Sequence, residues 1–508
     1  MNKKKKIAIH PIMTFLMISG LTILLSCVLY FLDFETEMFS INSTTLEYST
    51  SLVSTENLLS LSGLKYIFSS TVSNFMNFAP LSMLIIVLIG FGIMEKSGFL
   101  ESAISLVTKK MKKNTVTFLI VFISMIASIM GDISYIILLP LSALIFKYGK
   151  RNPLIGIVAS FAGLTCGQGL SVIFTSVDSL LLSESLVAAR VIDIGYRMAS
   201  ISGVFIMAVA VIVLSIILTH ITEKYTALKF SKYETEEVEE KTLTRKEIRG
   251  LVFAGLAASI YVLFFLYNIT PGLPFSGSLL DNSQVLYVDK LFSYNSFFSN
   301  GFVFVVTMFF VILGLFYGLG ARTIKNNKDF VDTLGHSLDG IGKTLLLIFF
   351  ASVFISIFKK TNIGTIMVAF LANIFQYINF QGLPLIILLF VITAAVTFII
   401  PTSITKWTIL SPVVIPVFMN AGLTPEFAQI IFRFAESTTM GLTPMMAYFV
   451  IYLAMLNNNY KGEQSISITE AIRFQLPYAI ATFVALLALI IIWYLIGLPL
   501  GINGVTIL

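Results

Sequence analysis

Five ionisable residues lie inside long apolar runs: Asp132, Asp178, Lys406, Arg433 and Glu436. A charge in the middle of a membrane span costs about 2.5–3.5 kcal/mol on insertion scales, so such a residue is kept for a partner or a task. Arg433 and Glu436 are three positions apart and share a helix face. They read either as an internal ion pair or as a substrate grip, with the planar guanidinium fork taking a carboxylate. Lys406 would face the same cavity or snorkel to the surface. Asp178 would bind or lie solvated near the outer interface, and Asp132 would bind or cap a helix.

Uncharged polar residues cluster beside these charges. Thr165, Gln168, Ser171, Thr402, Ser403, Thr405, Ser437, Thr438 and Thr439 fall where apolar runs break. Hydroxyls and carbonyls freed at a break suit a hard cation such as Na⁺, and half-helix N-termini suit an anionic group. The expected ion ligands are Thr165, Gln168, Thr438 and Thr439. Pro412, Pro425 and Pro444 punctuate the same regions as helix starts or kinks. Cys27 and Cys166 are too few for a disulfide framework or Cys-rich metal site, and His10, His220 and His336 are too scattered for a histidine one.

The setting of these residues is a membrane. Of 508 residues, 57% are hydrophobic and 12% charged, against about a quarter charged in soluble chains, and the mean hydropathy is +0.92. A large soluble enzyme, a disordered chain and a secreted disulfide scaffold are excluded. The net charge of +6 comes largely from Lys/Arg clusters beside apolar runs, which set topology rather than bind nucleic acid.

Ile12–Leu32 follows Lys3 to Lys6, placing the N-terminus in the cytoplasm. Residues 33–78 carry five acids and one base and read as extracytoplasmic. Further apolar segments lie near 79–95, 115–147, 153–181, 194–220, 250–269, 299–320, 341–358, 383–417, 424–455 and 471–497. Lys109, Lys110, Lys112 and Lys113 precede 115–147, while Lys147, Lys150 and Arg151 end it. Basic residues at both ends predict a re-entrant hairpin with Gly131-Asp132 at its tip. Segment 153–181 breaks at Thr165-Cys166-Gly167-Gln168-Gly169. Residues 223–249, with seven basic and seven acidic residues, form a solvated cytoplasmic linker.

The second half repeats this series, with a hairpin at 383–417 around Pro401-Thr402-Ser403-Ile404-Thr405-Lys406. Its 424–455 run breaks at Ser437-Thr438-Thr439-Met440-Gly441. Tip to break spans 35 residues in one half, 132 to 167, and 37 in the other, 403 to 440. The expected units are 1–78, first helix and outer loop; 79–220, repeat one; 221–249, linker; 250–340, connecting helices; and 341–508, repeat two. The expected fold is an all-α polytopic membrane protein of about nine transmembrane helices plus two re-entrant helical hairpins in inverted repeats. Inverted repeats with broken helices are the mark of secondary transporters. An intramembrane protease is the rival reading, but Asp132 in Met130-Gly131-Asp132 has no second aspartate motif to share a proton with.

Several motifs resemble the p-aminobenzoyl-glutamate transporter family. They are Asn77-Phe78-Ala79-Pro80-Leu81, Gly90-Phe91-Gly92-Ile93-Met94-Glu95-Lys96-Ser97-Gly98, Phe349-Phe350-Ala351-Ser352 and Thr361-Asn362-Ile363-Gly364. Lys406-Trp407, Leu410-Ser411-Pro412, Leu442-Thr443-Pro444-Met445-Met446-Ala447-Tyr448-Phe449 and Trp493 to Gly501 extend the likeness over nearly the whole chain. The resemblance implies a dimeric, nine-span transporter with a cation-coupled site, and not an enzyme. It places functional positions at Asp178, Trp407, Pro425, Arg433 and Pro444, beside Glu436, Thr402 and Ser403 from the residue reading. This chain has Glu436 where the family has aspartate, Ile404 where serine is usual, and Lys360 where tryptophan is usual. The expected function is secondary transport of p-aminobenzoyl-glutamate or a related aromatic, amino-acid-like anion across the cell membrane. Na⁺ or H⁺ would drive it, with the N-terminus inside, the C-terminus outside and no other cofactor. Efflux of sulfonamide-type antimetabolites on the same fold is the alternative.

Overall fold

A computed structural model describes residues 9–108, 111–231, 243–285, 287–293, 295–336, 338, 340–462 and 464–508. The topogenic lysines Lys3 to Lys6, Lys109 and Lys110, and the middle of the linker, lie outside the described residues. The chain opens with α1 (Pro11–Phe31), then a hairpin of β1 (Glu35–Ile41) and β2 (Tyr48–Ser54) paired from Glu35↔Ser54 to Ile41↔Tyr48. Helix α2 (Leu61–Met76) follows and passes through Asn77-Phe78 into α3 (Ala79–Lys96). Segment 33–78, expected as an outer loop, is therefore not a plain loop.

The first repeat continues with α4 (Phe99–Thr108), the hairpin arms α5 (Lys113–Ile126) and α6 (Ile133–Tyr148), the half-helices α7 (Pro153–Gly167) and α8 (Ser176–Arg190), and α9 (Val204–Ile221). Short α10 (Ala227–Phe230) precedes α11 (Arg245–Ile269), α12 (Tyr287–Phe292), α13 (Phe297–Ala321) and α14 (Asn327–His336). The second repeat runs α15 (Gly342–Lys360), α16 (Ile363–Tyr377), arms α17 (Leu383–Ile399) and α18 (Ser403–Asn420), half-helices α19 (Pro425–Thr439) and α20 (Phe449–Asn459), and α21 (Ile468–Ile496). Among the described residues seven helices are long and apolar enough to cross a membrane. The broken pairs α7/α8 and α19/α20 supply two further apolar segments that no single long helix represents.

The two repeats start their half-helices alike. Asn152 caps α7 and Thr424 caps α19, each followed by proline at the first helical position, and both helices have 15 residues. Proline suits that position because its missing N–H would be unpaired there anyway. Within each repeat the hairpin arms touch each other little and pack on the first half-helix, α5 and α6 on α7, α17 most heavily on α19.

The β-hairpin lies against α16 and α18. Pro416 has no N–H to offer the Pro412 carbonyl one turn back, and the Tyr48 hydroxyl donates to that carbonyl at 3.4 Å. Asn373 donates to the Glu37 carbonyl at 2.9 Å. Lys360 pairs with Glu56 at 2.6 Å, a half-buried contact with small energetic weight. Past Gly497 the chain folds back: Leu500 accepts from Phe205 and Ile206, and Thr424 donates to Thr506.

Candidate functional site

The breaks cross at close quarters. The Gly169 N–H donates to Ser437 Oγ at 2.9 Å, and a Cβ at Gly169 would stand 1.9 Å from the Arg433 carbonyl oxygen. A Cβ at Gly441 would stand 2.7 Å from Thr165 Oγ1. The earlier residue of each break thus meets the later residue of the other, so the half-helices run antiparallel where they cross. One register pairs Pro153 with Pro425, Thr165 with Ser437 and Gly169 with Gly441.

Over this crossing runs a chain of alternating charges. Lys406 Nζ lies 3.1 Å from Glu436 Oε2, Arg433 Nη1 donates to Glu436 Oε1 at 2.6 Å, and Arg433 Nη2 lies 3.2 Å from Asp178 Oδ1. Lys406 and Glu436 are 0% exposed, Arg433 2% and Asp178 7%. Two cations and two carboxylates make a neutral, desolvated row joining the tip of the second hairpin, α19 and the start of α8. Such a row is tolerable because each charge has a neighbour of opposite sign; removing one leaves its partner stranded. Glu436, one methylene longer than aspartate, reaches both cations.

These contacts decide between the alternatives for each residue. Lys406 does not snorkel: it is sealed in, donating also to Thr397 Oγ1 at 2.7 Å. Asp178 is not solvated at the outer interface. It is the third residue of a capping box, its Oδ2 accepting from the Thr175 N–H and hydroxyl at 3.0 and 2.7 Å, while Oδ1 faces Arg433. Asp132 occupies the N-cap position of α6 but makes no cap bond. Arg433 is more heavily committed than a free substrate fork. Its Nη2 also donates to the Gln168 carbonyl and Ser171 Oγ, both at 2.9 Å, and only Nε is buried without a partner.

Trp407 is fully buried, and its indole N–H donates to Ser185 Oγ at 2.8 Å. Ser185 in turn donates to Gln429 at 2.9 Å. Thr402 is exposed at the hairpin tip and Ser403 buried behind it; Pro425 opens α19, and Pro444 is half-buried after the short 3₁₀ turn Met440–Leu442. Of the expected ion ligands, Thr165 and Thr438 donate to carbonyls of their own helices, Phe161 and Ala435, at 2.9 and 2.6 Å. Thr439 donates to Ala394 at 2.7 Å, and Gln168 Oε1 accepts from Tyr135 at 3.2 Å. Their oxygens keep lone pairs that a hard cation could use. The sequence reading missed Ser185, Gln429, Thr397 and Tyr135; the partners of all but Thr397, which lies nine positions before Lys406, are far off in the chain.

A cleft of about 50 Å³, room for a few waters, reaches Asp178 and Ser171 past Glu426, Gln429 and the 199–204 loop. Of the row, only Asp178, its least buried member, lines this narrow cleft.

The family described as "AbgT putative transporter family" matches residues 5–508. The chain belongs to that family. Its members are transporters, so this AbgT-family chain is a multi-pass membrane transporter and not an enzyme. The p-aminobenzoyl-glutamate transport protein of Escherichia coli (strain K12) is 28% identical over 449 residues, covering 88% of this chain and 86% of that one. Among solved structures, the Alcanivorax borkumensis YdaH transporter, described as having an unusual topology, is 26% identical, with 97% of this chain and 100% of that chain covered and a TM-score of 0.49. Neisseria gonorrhoeae MtrF, described as illuminating a class of antimetabolite efflux pumps, is 27% identical with 98% of each chain covered and the same TM-score of 0.49.

Proposed function

We propose that this transporter carries p-aminobenzoyl-glutamate, or a related aromatic anion, by secondary active transport coupled to Na⁺ or H⁺. The observation that carries the proposal is the neutral row Lys406, Glu436, Arg433, Asp178 across the crossing of the breaks. A desolvated row of balanced charge accepts an anionic substrate only if a carboxylate is neutralised or a cation enters with it. A proton on Asp178 or Glu436 would release part of the Arg433 fork to a substrate carboxylate. Na⁺ among the oxygens of Thr165, Gln168, Thr438 and Thr439 would supply the same charge.

The hairpins are re-entrant in this reading, and movement of the hairpin-bearing unit within a homodimer exposes the row to each side in turn. The N-terminus lies inside and the C-terminus outside. Labelling from outside should reach a cysteine at Ser43 and not one at Ser231. Uptake of labelled p-aminobenzoyl-glutamate into proteoliposomes, under a Na⁺ gradient, a pH gradient or neither, tests substrate and coupling together. Accumulation under one gradient only supports the proposal and names the ion. No accumulation under any gradient, in either loading direction, rejects it. Running the assay outward with a sulfonamide competitor distinguishes import from antimetabolite efflux.

A further inference from the structure

Helices α11 and α13 pack against each other, and between them lies an apolar groove of about 460 Å³. Phe253, Leu256, Ala257, Ile260, Tyr261 and Phe264 line one wall, with Ile312 and Phe316 on the other. The wall residues of α11 recur every three or four positions, so they form one stripe of the helix. From Phe253 to Phe264 the stripe runs about 17 Å, close to half of a hydrocarbon core about 30 Å thick. The groove is as long as one leaflet is deep.

Continued toward the start of α11, the same stripe passes through Arg249 and then Lys246 and Arg245, all three exposed. The helices are antiparallel here: Arg249 Nε donates to the Gly320 carbonyl near the end of α13 at 2.6 Å. That contact brings exposed Arg322 to the same rim. Among the described residues, two nearby acids are engaged elsewhere. Glu247 closes the capping box with Thr244, and Asp329 accepts from the Lys325 N–H at 2.9 Å.

We propose that this groove holds an acyl chain of an anionic phospholipid, whose phosphate sits on the rim formed by Arg245, Lys246, Arg249 and Arg322. Two features argue for a lipid rather than a second copy of the chain. The apolar wall ends in a one-sign basic rim, which complements a phosphate. An identical basic rim on a partner subunit would repel it. Basic residues beside the membrane surface each contribute about 1 kcal/mol toward anionic lipid, so the headgroup, and not only the apolar wall, selects the occupant.

The test is native mass spectrometry of the full chain in detergent, titrated with phosphatidylglycerol or with phosphatidylcholine. Phosphatidylglycerol should bind at least tenfold more tightly. The triple variant Arg245→Gln, Lys246→Gln, Arg322→Gln should bind it roughly a hundredfold more weakly, at the phosphatidylcholine level. Ala257→Trp, which fills the groove, should displace both lipids; Leu256→Ser, on the exposed stripe, gives the same readout if the tryptophan variant does not fold. Equal affinity for the two lipids, or an unchanged triple variant, overturns the proposal. So does loss of a dimer in Ala257→Trp with phosphatidylglycerol binding intact, because the groove would then be covered by a second copy.

Discussion

The two hairpins hold corresponding places in their repeats, yet their tips do opposite things. The first turns at Gly131-Asp132, with Gly131 at φ +61° and both residues exposed. The carboxylate of Asp132 meets the Tyr448 hydroxyl rather than a cation. The second tip sends Lys406 inward until none of it is exposed, onto Glu436 and Thr397. The breaks are unequal in the same sense. The first repeat offers mostly backbone and neutral groups (the Gln168 carbonyl, the Gly169 N–H, Ser171) with one carboxylate, Asp178. The second repeat brings Lys406, Arg433 and Glu436. The shared register therefore governs the backbone, and the charge is concentrated in one repeat. A geometry made twice gives a crossing, and chemistry placed mostly once gives that crossing a direction.

The largest effect should come from the crossing itself. Gly169→Ala forces a methyl to within 1.9 Å of the Arg433 carbonyl oxygen, which is backbone, whereas Gly441→Ala meets first a side-chain oxygen of Thr165 at 2.7 Å. A backbone atom cannot rotate away. We expect Gly169→Ala to leave almost no folded protein by fluorescence-detected size-exclusion chromatography, and Gly441→Ala to leave a reduced but measurable peak. Equal profiles would mean that the breaks are as symmetric in packing as in register.

Next come the tips. Lys406→Met leaves Glu436 buried beside a single cation and should cost about 3–5 kcal/mol, whereas Asp132→Asn removes an exposed charge and should cost under about 1 kcal/mol. Unfolding in detergent measures both. The double variant Lys406→Met, Glu436→Gln should recover part of the loss, since it removes both members of the pair. If Asp132→Asn proves the more damaging, the contrast between the tips is wrong.

A smaller effect falls on binding rather than folding. Arg433→Lys keeps the charge but loses the planar fork that serves Glu436, Gln168, Ser171 and Asp178 at once. The loss of one charge-assisted hydrogen bond, roughly 1.5–3 kcal/mol, corresponds to about 10- to 150-fold in substrate affinity. Under the scaffold alternative Arg433 only neutralises Glu436, and Arg433→Ala with Glu436→Ala would then restore full binding. Substrate binding measured beside folded yield separates these readings.

Much of this arrangement was legible because membranes simplify the code. Long apolar runs, the polar breaks at 165–169 and 437–441, and charges placed beside them can be found by counting, and all four members of the row are among those charges, with Asp132 as a fifth. The shape of the row was not legible. Whether Lys406 snorkels or turns inward depends on Thr397 and Glu436 being in reach, a fact of packing. Trp407 and Ser185 are separated by 222 positions, and no local spacing announces their bond. The β-hairpin was missed although Glu35–Ile41 and Tyr48–Ser54 are short and rich in β-formers. Next to strong hydrophobic segments, the acids of that region drew attention to sidedness rather than to strands. The hydroxyls expected to bind ions lie at the breaks, but helix carbonyls already take up their protons, as threonines within helices commonly allow.

The smallest effect concerns the ends of the two half-helices, where the contrast between repeats recurs. Asn152 at the start of α7 donates to the Phe230 carbonyl at 3.0 Å, a tie to the segment after α9. Thr424 at the start of α19 is tied instead to the end of the chain: its N–H donates to Thr506 and its hydroxyl to Val505, at 3.2 and 2.5 Å. Leu508 donates to Gly422 at 3.0 Å. The residues from Leu500 onward thus bridge α9 in one repeat and α19 in the other, beside the narrow cleft that reaches Asp178. Deleting Ile502 to Leu508 breaks these bonds but lets water replace the lost partners, so the stability cost should be only about 0.5–1.5 kcal/mol per bond. The larger consequence should be access. With the bridge gone, a cysteine at Ser171 or Gln429 should react several-fold faster with a membrane-impermeant thiol reagent, while one at Ser43 should react as before. An unchanged rate at Ser171 would show that the cleft is held shut by α8 and α19 themselves. The two ends would then differ in their ties without differing in what those ties control.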